Sequence, residues 1–298
     1  MPPRHLCHGC IVRYYAQVKM LVAFLPIFVL PYARAGDQVT SGTIVVIAQT
    51  KQRVIIAADS GAGTTPDGTM LTSTNDCDCK IAALSSHVVF TSSGVVSNGN
   101  ASWTTISEAV SAGKDIPSNG ISSSSQGALV MKIWAQSMIQ RLSGFTPSQL
   151  LSVALANDGH ITTGILAGVD TGGNVWVQAV TISFMINFSN LVGLSFEPYT
   201  LTPAGAQTGY YFLGKAEVAL EFYQDTKSPR AIAERASWSR KKMSGATFDR
   251  FKARRLVELT IMYHSPTADV GGSIDEVQLD SRGVHWIKIK RNCKKQEQ

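Results

Sequence analysis

Charge is sparse in this sequence: Asp, Glu, Lys and Arg make up 16% of 298 residues, against 44% hydrophobic. That balance excludes a disordered chain, which carries many charges and few apolar groups, and it leaves ample material for a buried core. Acidic residues are the scarcer sign, 21 against 27 basic, for a net charge of +6. The excess does not read as a nucleic-acid surface. The basic residues gather at 230–255 and 288–295, which look like the solvated face of a helix and a basic tail rather than a groove-reading pattern. Cysteine is scarce too, five in all. Cys7 and Cys10 have only His5 and His8 beside them as further ligands, so no metal site is expected there. Cys77 and Cys79 are too close to bridge each other without strain, and Cys293 stands alone in the tail, so the spacing gives no disulfide scaffold. Long apolar runs are missing beyond residue 30, and no later transmembrane span is expected.

What is present begins at the N-terminus. Arg4, Arg13 and Lys19 precede the run Leu21-Val22-Ala23-Phe24-Leu25-Pro26-Ile27-Phe28-Val29-Leu30, which closes on Ala33-Arg34-Ala35. A basic flank, a short apolar stretch and an A-x-A site are the parts of a secretory signal. Residues 1–35 are therefore expected to direct export to the periplasm or the medium, with Met20 as an alternative start. Cleavage after Ala35 leaves residues 36–42 as a short propeptide.

From residue 43 the pattern turns strand-like. The apolar runs Ile44-Val45-Val46-Ile47 and Val54-Ile55-Ile56-Ala57-Ala58 predict one hairpin, and Ile81-Ala82-Ala83-Leu84 with Val88-Val89-Phe90 a second. Residues 60–69, rich in Gly and Thr, form a loop between them. Helices are predicted over 102–112, over 129–142 by its apolar spacing, over 216–223, and as one long helix over 231–263. Strands are predicted at 164–169, 175–177, Val277 and 286–289. This order of hairpins, helices, hairpins, helices and closing strands predicts one layered α+β domain over 43–290 with a basic tail at 291–298. Its two sheets bury against each other with helices outside.

Thr43 is the candidate nucleophile. A mid-chain threonine hydroxyl has nothing to take its proton. Cutting the Gly42–Thr43 bond frees an α-amine, of intrinsic pKa about 7.7–8, beside that hydroxyl, where it acts as the base. Gly42 tolerates the bent backbone that such a cut needs. Asp59 closes the second strand and Lys80 opens the third. A lysine near Thr43 lowers the hydroxyl's pKa, and an aspartate holds the lysine.

The stretch from Gly42-Thr43-Ile44 through Ala57-Ala58-Asp59-Ser60, then Lys80-Ile81 and Ser92-Ser93-Gly94, resembles the opening of a proteasome β subunit. Later, Leu166-Ala167-Gly168-Val169-Asp170 with Gly172-Gly173, and Asp269-Val270-Gly271-Gly272 with Ile274-Asp275, resemble that family more loosely. The resemblance implies a four-layer αββα sandwich of the N-terminal-nucleophile hydrolase type. It implies a threonine-type endopeptidase with Thr43 as nucleophile and base, Asp59 and Lys80 as the charge pair, Gly94 as an oxyanion donor, and Asp269 in support. Asp78, Ser92 and Val96 would line the side-chain pocket, peptides or unfolded proteins would be substrates, and copies of the chain would form a ring. No cofactor is implied. The chain departs from the family at Lys215 and Val270, where serines are expected. Two alternatives stay open: a catalytically silent ring or binding subunit, and an amidase acting on small amides. Export also departs from the family, whose usual place is the cytoplasm.

Overall fold

The computed structural model describes residues 39–61, 63–65, 79–98, 103–116, 121–157, 159–186, 192–201, 209–243, 245–264 and 270–289. The expected signal segment, Asp78, Asp269 and the basic tail lie outside them. No helix among the described residues is long and apolar enough to cross a membrane.

The first predicted hairpin is β2 (Ile44–Gln49) with β3 (Arg53–Ala58), in register from Val45↔Ala58 to Gln49↔Val54. Both strands are buried on both faces, so they read in sequence as unbroken apolar runs rather than alternating ones. β10 (Gly209–Gly214) extends this sheet beside β2, and β11 (Asp275–Asp280) with β12 (Gly283–Lys288) extends it beside β3. The second predicted hairpin is β5 (Ile81–Ser85) with β6 (Val88–Asn98). β6 belongs to a seven-stranded sheet that also holds β1 (Val39–Ser41), β4 (Gly63–Thr65), β7 (His160–Val169), β8 (Val175–Ile186) and β9 (Val192–Thr200).

Alternation along the strands sorts the core. Val45, Ile47, Val54 and Ile56 meet Val89, Ile165, Ala167 and Val177 of the larger sheet in one apolar cluster. The opposite faces of β2 and β3, through Ile44, Val46, Ile55 and Ala57, pack on Phe222, Trp238, Leu256 and Leu259. These come from α4 (Glu217–Gln224), α5 (Pro229–Ser239) and α6 (Gly245–Tyr263). On the larger sheet, Phe90, Leu166 and Trp176 pack on Ile106, Trp134, Met138 and Leu150. Those belong to α1 (Thr105–Lys114), α2 (Ser124–Leu142) and α3 (Pro147–Ala156).

The expected four-layer αββα sandwich is corrected: the described residues form a mixed α/β fold of two unequal antiparallel sheets and six helices. The larger sheet forks, because β6 runs for 11 residues and outlasts any one partner. β5 pairs with its first part, Val88–Thr91, and β1 with its last, Val95–Asn98. The expected single helix over 231–263 is likewise two, α5 and α6. The chain leaves α5 at Arg240 and re-enters helix at Gly245, whose φ of 55° is one that glycine adopts without steric cost.

Candidate active site

The β2–β3 hairpin sets the first contact. Thr43 immediately precedes β2 and Asp59 immediately follows β3. Antiparallel pairing thus brings them to one end of the sheet. There Asp59 N–H donates to Ile44 O at 3.2 Å, and Ile44 N–H donates to Asp59 Oδ1 at 3.0 Å. Asp59 Oδ2 accepts from Gly271 N–H at 2.8 Å. The β5–β6 hairpin brings the lysine. Thr91 Oγ1 of β6 donates to Lys80 O at 2.8 Å, fixing the residue just before β5. Lys80 Nζ then lies 3.6 Å from Asp59 Oδ1 and donates to Gly42 O at 3.2 Å and to Gly61 O. Both charged side chains are fully buried.

Burial pushes the Asp59 carboxyl above its ordinary range, and the Lys80 charge and the two N–H donors pull it back. The pair is thus isolated from solvent, with the Lys80 ammonium on the Gly42 carbonyl.

The Gly42–Thr43 junction is strained. Gly42 has φ 115° and Thr43 φ 148°, and a β-branched residue at positive φ costs of order 1–3 kcal/mol. Thr43 is buried, and its Oγ1 has no hydrogen-bond partner among the described residues. Gly42 N–H donates to Gly94 O at 3.3 Å, while Thr43 O accepts from Lys215 N–H at 3.0 Å. Glycine is required at both clasps: a Cβ would fall 2.3 Å from Ile161 O at Gly94, and 1.9 Å from Thr43 O at Gly214.

Thr43, Asp59, Lys80 and Gly94 therefore converge. Gly94 meets the junction through its carbonyl rather than through the N–H expected as oxyanion donor. Ser92 is buried, with its hydroxyl 2.6 Å from Thr105 Oγ1 of α1, and Val96 is buried as well. Asp78 and Asp269 lie outside the described residues. At the two departures, Lys215 contributes its backbone N–H, and Val270 packs against the cluster under α4–α6.

The sequence reading gave Gly61 and Gly271 no role at the site. Gly271 donates to Asp59, its carbonyl accepts from Ser60 N–H and Gly61 N–H, and Gly61 O accepts from Lys80. The two backbones pass so closely that a Cβ on Gly61 would sit 2.5 Å from Gly271 N. The one available signal was a glycine just after Asp59-Ser60 and another in the late Gly-Gly pair. Cys79, next to Lys80, is disulfide-bonded, although spacing alone pointed to no disulfide framework. No protein-family model matches the chain, and no curated protein matches it significantly.

Proposed function

We propose that the chain is an N-terminal-nucleophile hydrolase of the proteasome β-subunit kind, a threonine-type endopeptidase that uncovers Thr43 by its own attack on Gly42. The observation that carries this is the buried Lys80 ammonium on the Gly42 carbonyl, beside an unpartnered Thr43 hydroxyl. Such a donor polarises the carbonyl and stabilises the oxyanion that forms on it. In the first step Thr43 Oγ1 bonds to the Gly42 carbonyl carbon and the peptide C–N bond breaks. The hydroxyl proton passes to the leaving nitrogen as that bond breaks, while the Lys80 ammonium stays on the Gly42 oxygen. Water then hydrolyses the resulting ester, releasing the Gly42 carboxylate and freeing Thr43 with an α-amine. In turnover that amine is the base, Thr43 Oγ1 attacks the substrate carbonyl, and water resolves the acyl-enzyme.

The substrate class is supported by β1. Val39–Ser41, just before the cut bond, lies as a strand between β4 and β6. Once vacated, those two edges suit an extended peptide, which adds to a sheet through main-chain bonds; a small amide has no use for them. Export is supported by the disulfide at Cys79, a bond that persists in oxidising compartments. Assembly into a homo-oligomeric ring belongs to the same proposal.

A catalytically silent subunit is the second reading, favoured by Lys215 and Val270 in place of serines. A panel of fluorogenic peptides and simple amides separates these readings. Hydrolysis of peptides that is lost in Thr43→Ala supports the endopeptidase. Hydrolysis of amides alone supports the amidase, and neither supports the silent subunit.

A further inference from the structure

β6 bends where it meets the Gly42–Thr43 junction. Gly94 has φ 87°, a value that glycine reaches freely and that no side chain of its own holds in place. The ladder to β1 slips at the same point. Ser41 stands opposite Val95 but Thr40 opposite Ser97, so Val96 is left over, as in a bulge. Regular pairing therefore does not fix the Gly94 carbonyl, which accepts from Gly42 N–H at 3.3 Å. A side chain grips this stretch from the other edge. Thr162 of β7 stands opposite Gly94, so close that a Cβ on Gly94 would fall 2.8 Å from the Thr162 Cα. Its buried Oγ1 lies 2.9 Å from Ser93 O and 3.1 Å from Val95 O, and shares its one hydrogen between the two carbonyls.

We propose that Thr162 is a positioning residue for self-cleavage, whose hydroxyl keeps the Gly94 carbonyl on Gly42 N–H and so keeps the Gly42 carbonyl carbon in reach of Thr43 Oγ1. Peptide units are planar. Anchoring Ser93 O and Val95 O fixes the two units that flank the one carrying Gly94 O. Without the hydroxyl that middle unit is free to turn, because glycine offers little resistance to rotation. Gly42 is then held from both ends: Lys80 donates to its oxygen, and its nitrogen donates to the carbonyl that Thr162 steadies. The attack depends on this geometry, since a misplacement of about 1 Å costs on the order of 10²-fold in rate. Thr162 touches none of the reacting atoms and acts through Gly94 alone.

The inference rests on the proposed self-cleavage at Thr43, and the test tells the two apart. The full chain is made by cell-free synthesis, and the appearance of a chain beginning at Thr43 is followed over time by intact mass. Thr162→Val keeps the branched shape and loses the hydroxyl, so it should process about 10-fold or more slowly than the unmodified chain. Thr162→Ser keeps the hydroxyl and should process within about 3-fold of it. Thermal unfolding of each variant is measured alongside, and processing is read well below the lowest midpoint, so that slowness reports geometry and not lost fold. Should Thr162→Val not fold, Thr162→Ala is read in its place. Slow processing in the folded variant, with rescue by serine, supports the positioning role. A folded Thr162→Val that processes within about 2-fold of the unmodified chain overturns it and leaves the hydrolase standing. So does a folded Thr162→Ser that is as slow as Thr162→Val. An unmodified chain that never begins at Thr43 overturns both.

Discussion

The same pairing of acid with base occurs in two settings. On α5 and α6, Arg255 bonds Glu234 at 2.7 Å and Glu258 at 3.3 Å, all three side chains keeping a fifth to a third of their surface in water. At the end of β2–β3, Lys80 and Asp59 stand at a looser 3.6 Å with no surface in water at all. The tighter pairs are worth little, because solvent screens them and ordering two long side chains costs entropy. The buried pair gives up far more hydration than its distance returns. In the proposed function the charges serve the Gly42 carbonyl beside Lys80 rather than stability.

Five changes test the contrast, beginning with the largest effect. Thr43→Ala removes the proposed nucleophile, so residues 36–42 should stay attached and peptide hydrolysis should vanish; intact mass and a fluorogenic assay read both. Lys80→Met should lower turnover by about 10²–10⁴-fold. It should also destabilise the fold by about 3–5 kcal/mol, because Asp59 is left buried and unpaired. Adding Asp59→Asn to that variant should recover stability in urea unfolding without recovering activity. Recovery of both would return the pair to the class of ordinary ion pairs.

Much of that buried end was legible because it is local. Thr43, Asp59 and Lys80 flank apolar runs whose pairing follows from hairpin geometry, so their convergence could be read from spacing. The bond from Gly271 to Asp59 crosses 212 positions, and no local pattern announces it. β1 has 3 residues and owes its strand form to β4 and β6, so nothing in Val39-Thr40-Ser41 marks it out. α3 was missed for a different reason. Its Thr146–Gln149 capping box and Pro147 at the first turn are a plain start signal, but Leu151 and Leu155 face outward and blur the apolar stripe. The layering was over-read because strand order cannot reveal that β6 serves two partners along its length.

On the exposed side, Arg255→Ala should cost about 1 kcal/mol or less and leave turnover unchanged, by thermal unfolding and peptide assay. The smallest effect is in pH. Arg230 and Ser228 hold the Glu221 carboxyl down at about 2, against an ordinary 4.5. Its folded-state value is depressed, so its contribution is complete above 4.5 and is lost as pH falls towards about 2. Glu221→Gln should therefore flatten the melting temperature in that window and do nothing at pH 7. A changed peptide-hydrolysis profile in this variant would join the helical face to the site and break the contrast.

The most direct measurement is the intact mass of the purified protein, made without added protease. A chain beginning at Thr43, with Thr43→Ala retaining residues 36–42, is the expected result. An unmodified chain that keeps Gly42 joined to Thr43 would contradict the proposal that Lys80, Asp59 and the strained junction form a self-cleaving hydrolase.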